Sequence, residues 1–73
     1  MIKMDSVEIK FGQRIKELRL KQDISQEELA FRCGLSKNYI SDVERGTRNV
    51  SLKSIEKIAC GFAVNLKELF DFK

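Results

Sequence analysis

The stretch that decides the fold runs from Ser25 to Arg48, SQEELAFRCGLSKNYISDVERGTR. It holds two short segments with helical apolar spacing, each opened by a serine and closed by a glycine. Ser25-Gln-Glu-Glu28 has the form of a capping box, in which the serine oxygen accepts from an orphan N–H of the first turn. Leu29, Ala30 and Cys33 then share one face, and Gly34, free to adopt a positive φ, stops the helix. Ser36 is the cap of the next segment, expected over about residues 37–45, with Leu35 just before it, Ile40 and Val43 facing inward, and Gly46 as its stop. Only the turn Cys33-Gly34-Leu35-Ser36 separates the two helices. Such a pair is a helix-turn-helix, whose second helix can lie in a DNA major groove while the first crosses the phosphate backbone. Two helices around a glycine are a weak signal alone, so the flanks carry weight.

Upstream, Val7, Phe11, Ile15 and Leu18 recur at one helical face and predict a helix from about Ser6 to Gln22. Gly12 inside it costs stability relative to Ala and marks a close approach to a neighbouring helix. Lys10, Arg14, Lys16 and Lys21 fall mostly on other faces and are expected in solvent. Downstream, the loop Thr47–Val50 leads to Ser51, the cap of a helix burying Ile55, Ile58, Ala59 and Phe62. Asn65-Leu-Lys-Glu68 is a second near capping box, opening a short fifth helix with Leu66, Leu69 and Phe70. Proline is absent, and no repeat, linker or low-complexity stretch interrupts the pattern. The expected fold class is all-α: a compact five-helix domain spanning residues 1–73 around its helix-turn-helix.

A chain of 73 residues buries only about 60% of its unfolded surface, enough for one modest core and too little for an enzyme with a cleft between lobes. With 42% hydrophobic and 34% charged residues it is too apolar for a disordered tail. Fourteen Lys and Arg against eleven Asp and Glu give a net charge of +3, with a pI near 9.0, a balance suited to an acidic partner such as nucleic acid. No apolar run reaches the roughly 18 residues of a membrane span, and no signal-peptide pattern opens the chain, so no membrane partner and a cytoplasmic location are expected. Histidine is absent, and Cys33 and Cys60 are too far apart for a CxxC ligand pair. No metal or cofactor is expected, and both cysteines read as small buried hydrophobes. No nucleophile–base pair, metal cluster or phosphate loop can be assembled, which leaves an enzyme the weakest reading.

The run Ile15-Lys-Glu-Leu-Arg19, then Ile24 to Ala30, Gly34-Leu-Ser36, Tyr39-Ile-Ser41 and Val43-Glu-Arg-Gly46 resembles the phage-repressor-like (Cro/CI, Xre) helix-turn-helix family, with its lambda-repressor-like fold. The likeness covers roughly Phe11 to Phe70. Within the family, Tyr39 to Leu52 is most similar to the controller proteins of restriction–modification systems. That resemblance implies a homodimer on a double-stranded DNA operator upstream of its own gene and of a restriction-enzyme gene. It also implies activation at one site and repression at higher occupancy, with RNA polymerase as a further partner. Phage or plasmid repressors and antitoxins share the fold. An interaction-only helical module is the rival from another class, and Lys37, Arg48 and the basic balance weigh against it.

Gln26 opens the first helix of the pair, where free N–H groups and the helix dipole attract a phosphate, and the family uses a glutamine there for a backbone contact. Ser36, Lys37, Asn38 and Tyr39 form the start of the second helix, the part that a recognition helix pushes deepest. Lysine can donate to guanine, asparagine can pair with adenine, and tyrosine can reach a phosphate or a thymine methyl. Controller proteins often carry Arg where Lys37 stands, and Lys lacks the rigid guanidinium fork. Ser41, Asp42 and Arg45 continue that helix. Asp42 would repel phosphates unless it accepts from cytosine or pairs with a cation, and an intramolecular pair is the expected arrangement. Arg48, Asn49 and Ser51 follow in a loop that the family places over the backbone or minor groove. The resemblance pairs Glu44 with Arg19 as a structural ion pair. Leu66, Leu69, Phe70 and Phe72 make the C-terminal end too apolar for so small a protein to cover, which points to a two-fold interface between copies.

Overall fold

In the computed structural model, which describes residues 6–72, five helices follow in order: α1 (Val7–Lys21), α2 (Gln26–Cys33), α3 (Lys37–Arg45), α4 (Leu52–Phe62) and α5 (Leu66–Leu69). Each is opened by a side-chain cap. The oxygens of Ser6, Ser25, Ser36, Ser51 and Asn65 accept from the N–H groups of Ile9, Glu28, Tyr39, Ser54 and Glu68 at 2.8–3.2 Å. A cap of this kind stabilises a helix by about 1 kcal/mol, which matters most for helices too short to persist alone. The stops are equally local. Gly34 ends α2 with φ 71°, in the left-handed region that a Cβ disfavours.

The core gathers one face from every helix: Phe11, Ile15 and Leu18 from α1, Leu29, Ala30 and Cys33 from α2, Ile40 and Val43 from α3, Ile58, Ala59 and Phe62 from α4, and Leu69 from α5. α1 packs on α3, while α2 is held between α3 and α4. Gly12 is what lets α1 and α3 approach. A Cβ there would overlap the Val43 carbonyl oxygen and come within 2.9 Å of the Glu44 carbonyl oxygen.

Several expectations are corrected. Val7 keeps the phase of the α1 face but is 62% exposed, because periodicity gives a direction and not how far the neighbours extend. Val7 instead borders a shallow hollow that it shares with the loop at Arg48–Val50, Ile55 and Phe70. Arg14 is not solvated: its side chain is only 10% exposed. Its Nε and Nη2 donate to the Glu68 carbonyl at 3.1 and 2.7 Å, and Nη1 binds Glu17. The clamp ties α1 to the end of α5, where the Glu68 carbonyl also accepts from the Asp71 N–H at 3.3 Å. Cys33 is buried as expected, but Cys60 is exposed. It lies off the inward face that Ile58, Ala59 and Phe62 define, and helix phase overrides the burial preference of cysteine. Burial pushes the Cys33 thiol up to about 11, with Cys60 nearby adding to the shift. Leu69 is fully buried in its own protomer's core, so it has no surface to offer a partner. Phe72 is half-buried against that core.

Candidate nucleic-acid interface

Two arginine–carboxylate groups organise the helix-turn-helix, one inside and one outside. Inside, Arg19 of α1 meets Glu44 of α3 in a bidentate pair. Nε donates to Oε2 at 2.7 Å and Nη2 to Oε1 at 3.1 Å, while Nη1 donates to the Ile24 carbonyl at 3.0 Å. The two side chains are 12% and 5% exposed. The Glu44 hydrogen bond holds the Arg19 guanidinium above its ordinary range, against the opposing effect of burial. Gln26, the first residue of α2, donates from Nε2 to the same Oε1 at 3.1 Å. One carboxylate thus receives donors from α1 and α2 while standing on α3.

Outside, Asp42 accepts from Arg45 and, through Oδ2, from Arg48 Nη2 at 3.2 Å. The Arg48 guanidinium also lies over the Tyr39 ring, 4.4 Å from its centroid, a cation–π geometry. Hydrogen bonds from Arg48 first and Arg45 second hold the Asp42 carboxyl below the usual carboxylate range. Thr47 closes the loop by donating N–H and hydroxyl to the Asp42 carbonyl at 3.1 and 3.2 Å. That loop contact keeps Arg48 beside α3, and nothing in the sequence reading singled out Thr47.

The first turn of α3 presents Lys37 and Asn38 to solvent, with Tyr39 half-buried against the core. Ser36 and Ser51 spend their hydroxyl oxygens as helix caps; the Ser51 hydroxyl also donates to Ser54 Oγ at 3.1 Å, while that of Ser36 keeps its proton for another acceptor. Ser41 is half-buried, and Arg45 and Asn49 are exposed. Tyr39, Asp42, Arg45 and Arg48 are joined into one cluster on α3 and its loop, whereas Gln26 is drawn partly toward the inner pair. Leu66, at 54% exposure, and Phe70, at 40%, are open apolar side chains, and Leu52, at 85%, joins them. Leu52 escaped the sequence reading, although a leucine directly after the cap and three residues before Ile55 is legible as the rim of α4.

The helix-turn-helix family model matches residues 15–69. The control protein C.BamHI of Bacillus amyloliquefaciens is 52% identical over 69 residues, covering 93% of this chain and 85% of that protein. The chain belongs to the helix-turn-helix family, among the controller proteins of restriction–modification systems. The crystal structure of the restriction-modification controller protein C.AhdI from Aeromonas hydrophila superposes with a TM-score of 0.84 at 51% identity, covering 86% of this chain and 96% of that one. C.Esp1396I, solved bound to a 25 base pair operator site, matches with a TM-score of 0.84 at 35% identity over 93% of this chain and 90% of that one. For this member of the family, the inner ion pair and the exposed start of α3 are therefore parts of a transcriptional regulator's helix-turn-helix. Among the described residues, no helix is long and apolar enough to cross a membrane.

Proposed function

We propose that α3 is the recognition helix and that the protein binds operator DNA of its own restriction–modification promoter as a homodimer. The observation carrying this reading is the open first turn of α3, where Lys37 and Asn38 stand in solvent beside Tyr39, Arg48 and Asn49. A helix about 10–12 Å across fits a major groove about 12 Å wide. In that pose Lys37 donates to guanine, Asn38 pairs with adenine, and the Tyr39 hydroxyl reaches a phosphate. Arg45, Arg48, Asn49, Ser41 and Ser51 line the approach to the flanking backbone. Gln26 spends one amide proton on Glu44 and keeps the second for a phosphate oxygen at the start of α2.

Support for the dimer comes from an apolar strip at the α4–α5 end. One shallow hollow is lined by Val7, Val50, Ile55 and Phe70 along with the polar Glu8, Arg48 and Asn49, and a second by Leu52, Ile55, Leu66 and Phe70. Ile55 and Phe70 belong to both, so the two are continuous. Lys53 and Glu56 border the second hollow. Opposite charges on one self-complementary patch can pair reciprocally across a two-fold axis. The partner role of RNA polymerase rests on the likeness of residues 39–52 to controller proteins.

The test is footprinting, across a salt series, of the DNA immediately upstream of the gene. The expected result is a pair of protected half-sites roughly 34 Å apart, with affinity falling as salt rises. Absent protection, or binding indifferent to salt, refutes the DNA reading. One protomer on a lone half-site, seen by ultracentrifugation, refutes the dimer.

A further inference from the structure

On the reading that α3 enters the groove, a carboxylate on its outward side is unfavourable beside phosphates unless it does something there. Asp42 is half-buried, and its two oxygens are engaged by Arg45 and Arg48. Arg48 is held at two points, through Nη2 by Asp42 and through its flat face by the Tyr39 ring. The loop that carries it is fixed in turn by Thr47 on the Asp42 carbonyl. Its Nε and Nη1 have no partner among the described residues.

We infer that Asp42 is a specificity-determining positioning residue, which holds Arg48 against Tyr39 and keeps Arg45 and Arg48 from binding phosphates indiscriminately. A loose arginine samples many rotamers. A loose cation finds phosphates in any register of the protein on the duplex. A clamped one meets them only where the base contacts of Lys37 and Asn38 are also made. Phosphate contacts fix register while base contacts specify sequence, so fixing the cations beforehand converts a sequence-blind attraction into one that favours the matching site. The carboxylate also half-neutralises the pair, which weakens binding to any duplex that offers nothing else.

The inference rests on the operator reading, and the test separates the two. Asp42→Asn keeps the shape and removes the charge, while Asp42→Glu keeps the charge. Each variant is measured against a duplex selected by the wild-type protein from a randomised pool and against a scrambled duplex, over a salt series. The free proteins are examined in parallel by NMR. Besides Tyr39 the chain holds five phenylalanines with ring currents of their own, so the report of the clamp is an upfield shift of the Arg48 Cδ protons that disappears in Tyr39→Leu. The expected result is that Asp42→Asn loses this shift and binds the scrambled duplex more tightly. Its salt slope there should steepen by about one unit per protomer, as a released cation reaches a phosphate. The ratio of selected to scrambled affinity should fall by about threefold to tenfold, the worth of one ordinary hydrogen bond in water. Asp42→Glu should retain the shift and most of the ratio. If both duplexes gain equally, only a charge has been removed and the inference is overturned. It is also overturned if Asp42→Asn retains the Arg48 shift. Should the wild type bind neither duplex with salt dependence, the operator reading itself fails and takes this one with it, while the NMR arm still reports whether Asp42 holds Arg48.

Discussion

Replacing Arg19 by Met removes the cation from the inner pair while keeping much of its volume. Glu44, 5% exposed, would then retain only the Gln26 amide as a side-chain donor. It also stands in the last turn of α3, where the helix dipole disfavours an anion. Stranding a buried charge costs about 3–5 kcal/mol. A domain of this size has roughly 4–11 kcal/mol in total, at about 0.05–0.15 kcal/mol per residue, so the loss is a large fraction of it. At about 4–8 °C per kcal/mol, the lower figure lowers Tm by about 12–24 °C. Glu44→Leu should cost less, about 1–3 kcal/mol. Arg19 keeps the Ile24 carbonyl, sits in the last turn of α1 where the dipole favours it, and can lift its head toward water on a long stem. The double variant Arg19→Met/Glu44→Leu has no stranded charge and should lie within about 2 kcal/mol of wild type. Thermal and urea melts followed by helical circular dichroism, at one fixed protein concentration because the proposed dimer would add to stability, give the full cycle. Additive losses would refute the reasoning, as would single variants that melt like wild type.

Helix propensity alone predicts that Gly12→Ala stabilises by about 1 kcal/mol; the overlap with the Val43 carbonyl predicts a loss of about 1–3 kcal/mol instead, and the sign of the Tm change decides. Lys37→Ala should erode discrimination at one or two base pairs of each half-site, costing about 1–3 kcal/mol there; competition titrations with single-base-pair variants read this, and a uniform loss on all sequences counts against base contact. Cys60 should react with a thiol reagent in the folded protein while Cys33 reacts only on unfolding, and mass spectrometry of the labelled peptides distinguishes them. The Cys33 thiol also carries a pH signature: folded it titrates at about 11 against an ordinary 9.0, so between those values the unfolded chain has lost a proton that the folded chain keeps. Stability should fall as pH rises through that window, and Cys33→Ala should flatten the fall.

The caps made the helix starts readable. Ser25, Ser36, Ser51 and Asn65 act through their own short side chains on N–H groups three residues on, so their effect is written locally. Gly12 was legible for a related reason: a glycine in a helix interior has a cost that only a close neighbour explains. Contacts between distant segments were not legible. Arg14 and Glu68 are far apart in sequence, and nothing in either segment says that a guanidinium will meet a carbonyl of the last helix. Charge type suggested solvent, and packing overruled it. Leu66 and Leu69, three residues apart, read as one face of a short helix, yet Leu69 is fully buried and Leu66 is 54% exposed, because spacing gives a shared face and not how far the neighbours cover it. At the candidate site, residue types gave chemistry but not engagement. The need of Asp42 for a cation was readable, whereas its choice of Arg45 and Arg48, and the stacking of Arg48 on Tyr39, depends on how Thr47 folds the loop back.

Asp42 and Glu44 are two residues apart on α3, which turns them about 200° from each other around the helix. One therefore points to the interior of the helix-turn-helix and the other to its outer side, and each collects guanidinium groups. Their surroundings give the two groups opposite properties. The inner pair is dry, bidentate and joined to α2 through Gln26, so breaking it strands a charge and the geometry of the three helices is effectively permanent. The outer cluster stands in water, where ion pairs are weak and screened by salt, so its arginines can exchange a carboxylate for a phosphate without loss of fold. On the proposed reading of α3 as the recognition helix both are needed: a fixed axis relative to its neighbours, and cations that are directed but releasable. Exchanging the positions of the two carboxylates' environments would remove both at once, because a permanent outer pair could not yield to DNA and a loose inner pair could not aim α3.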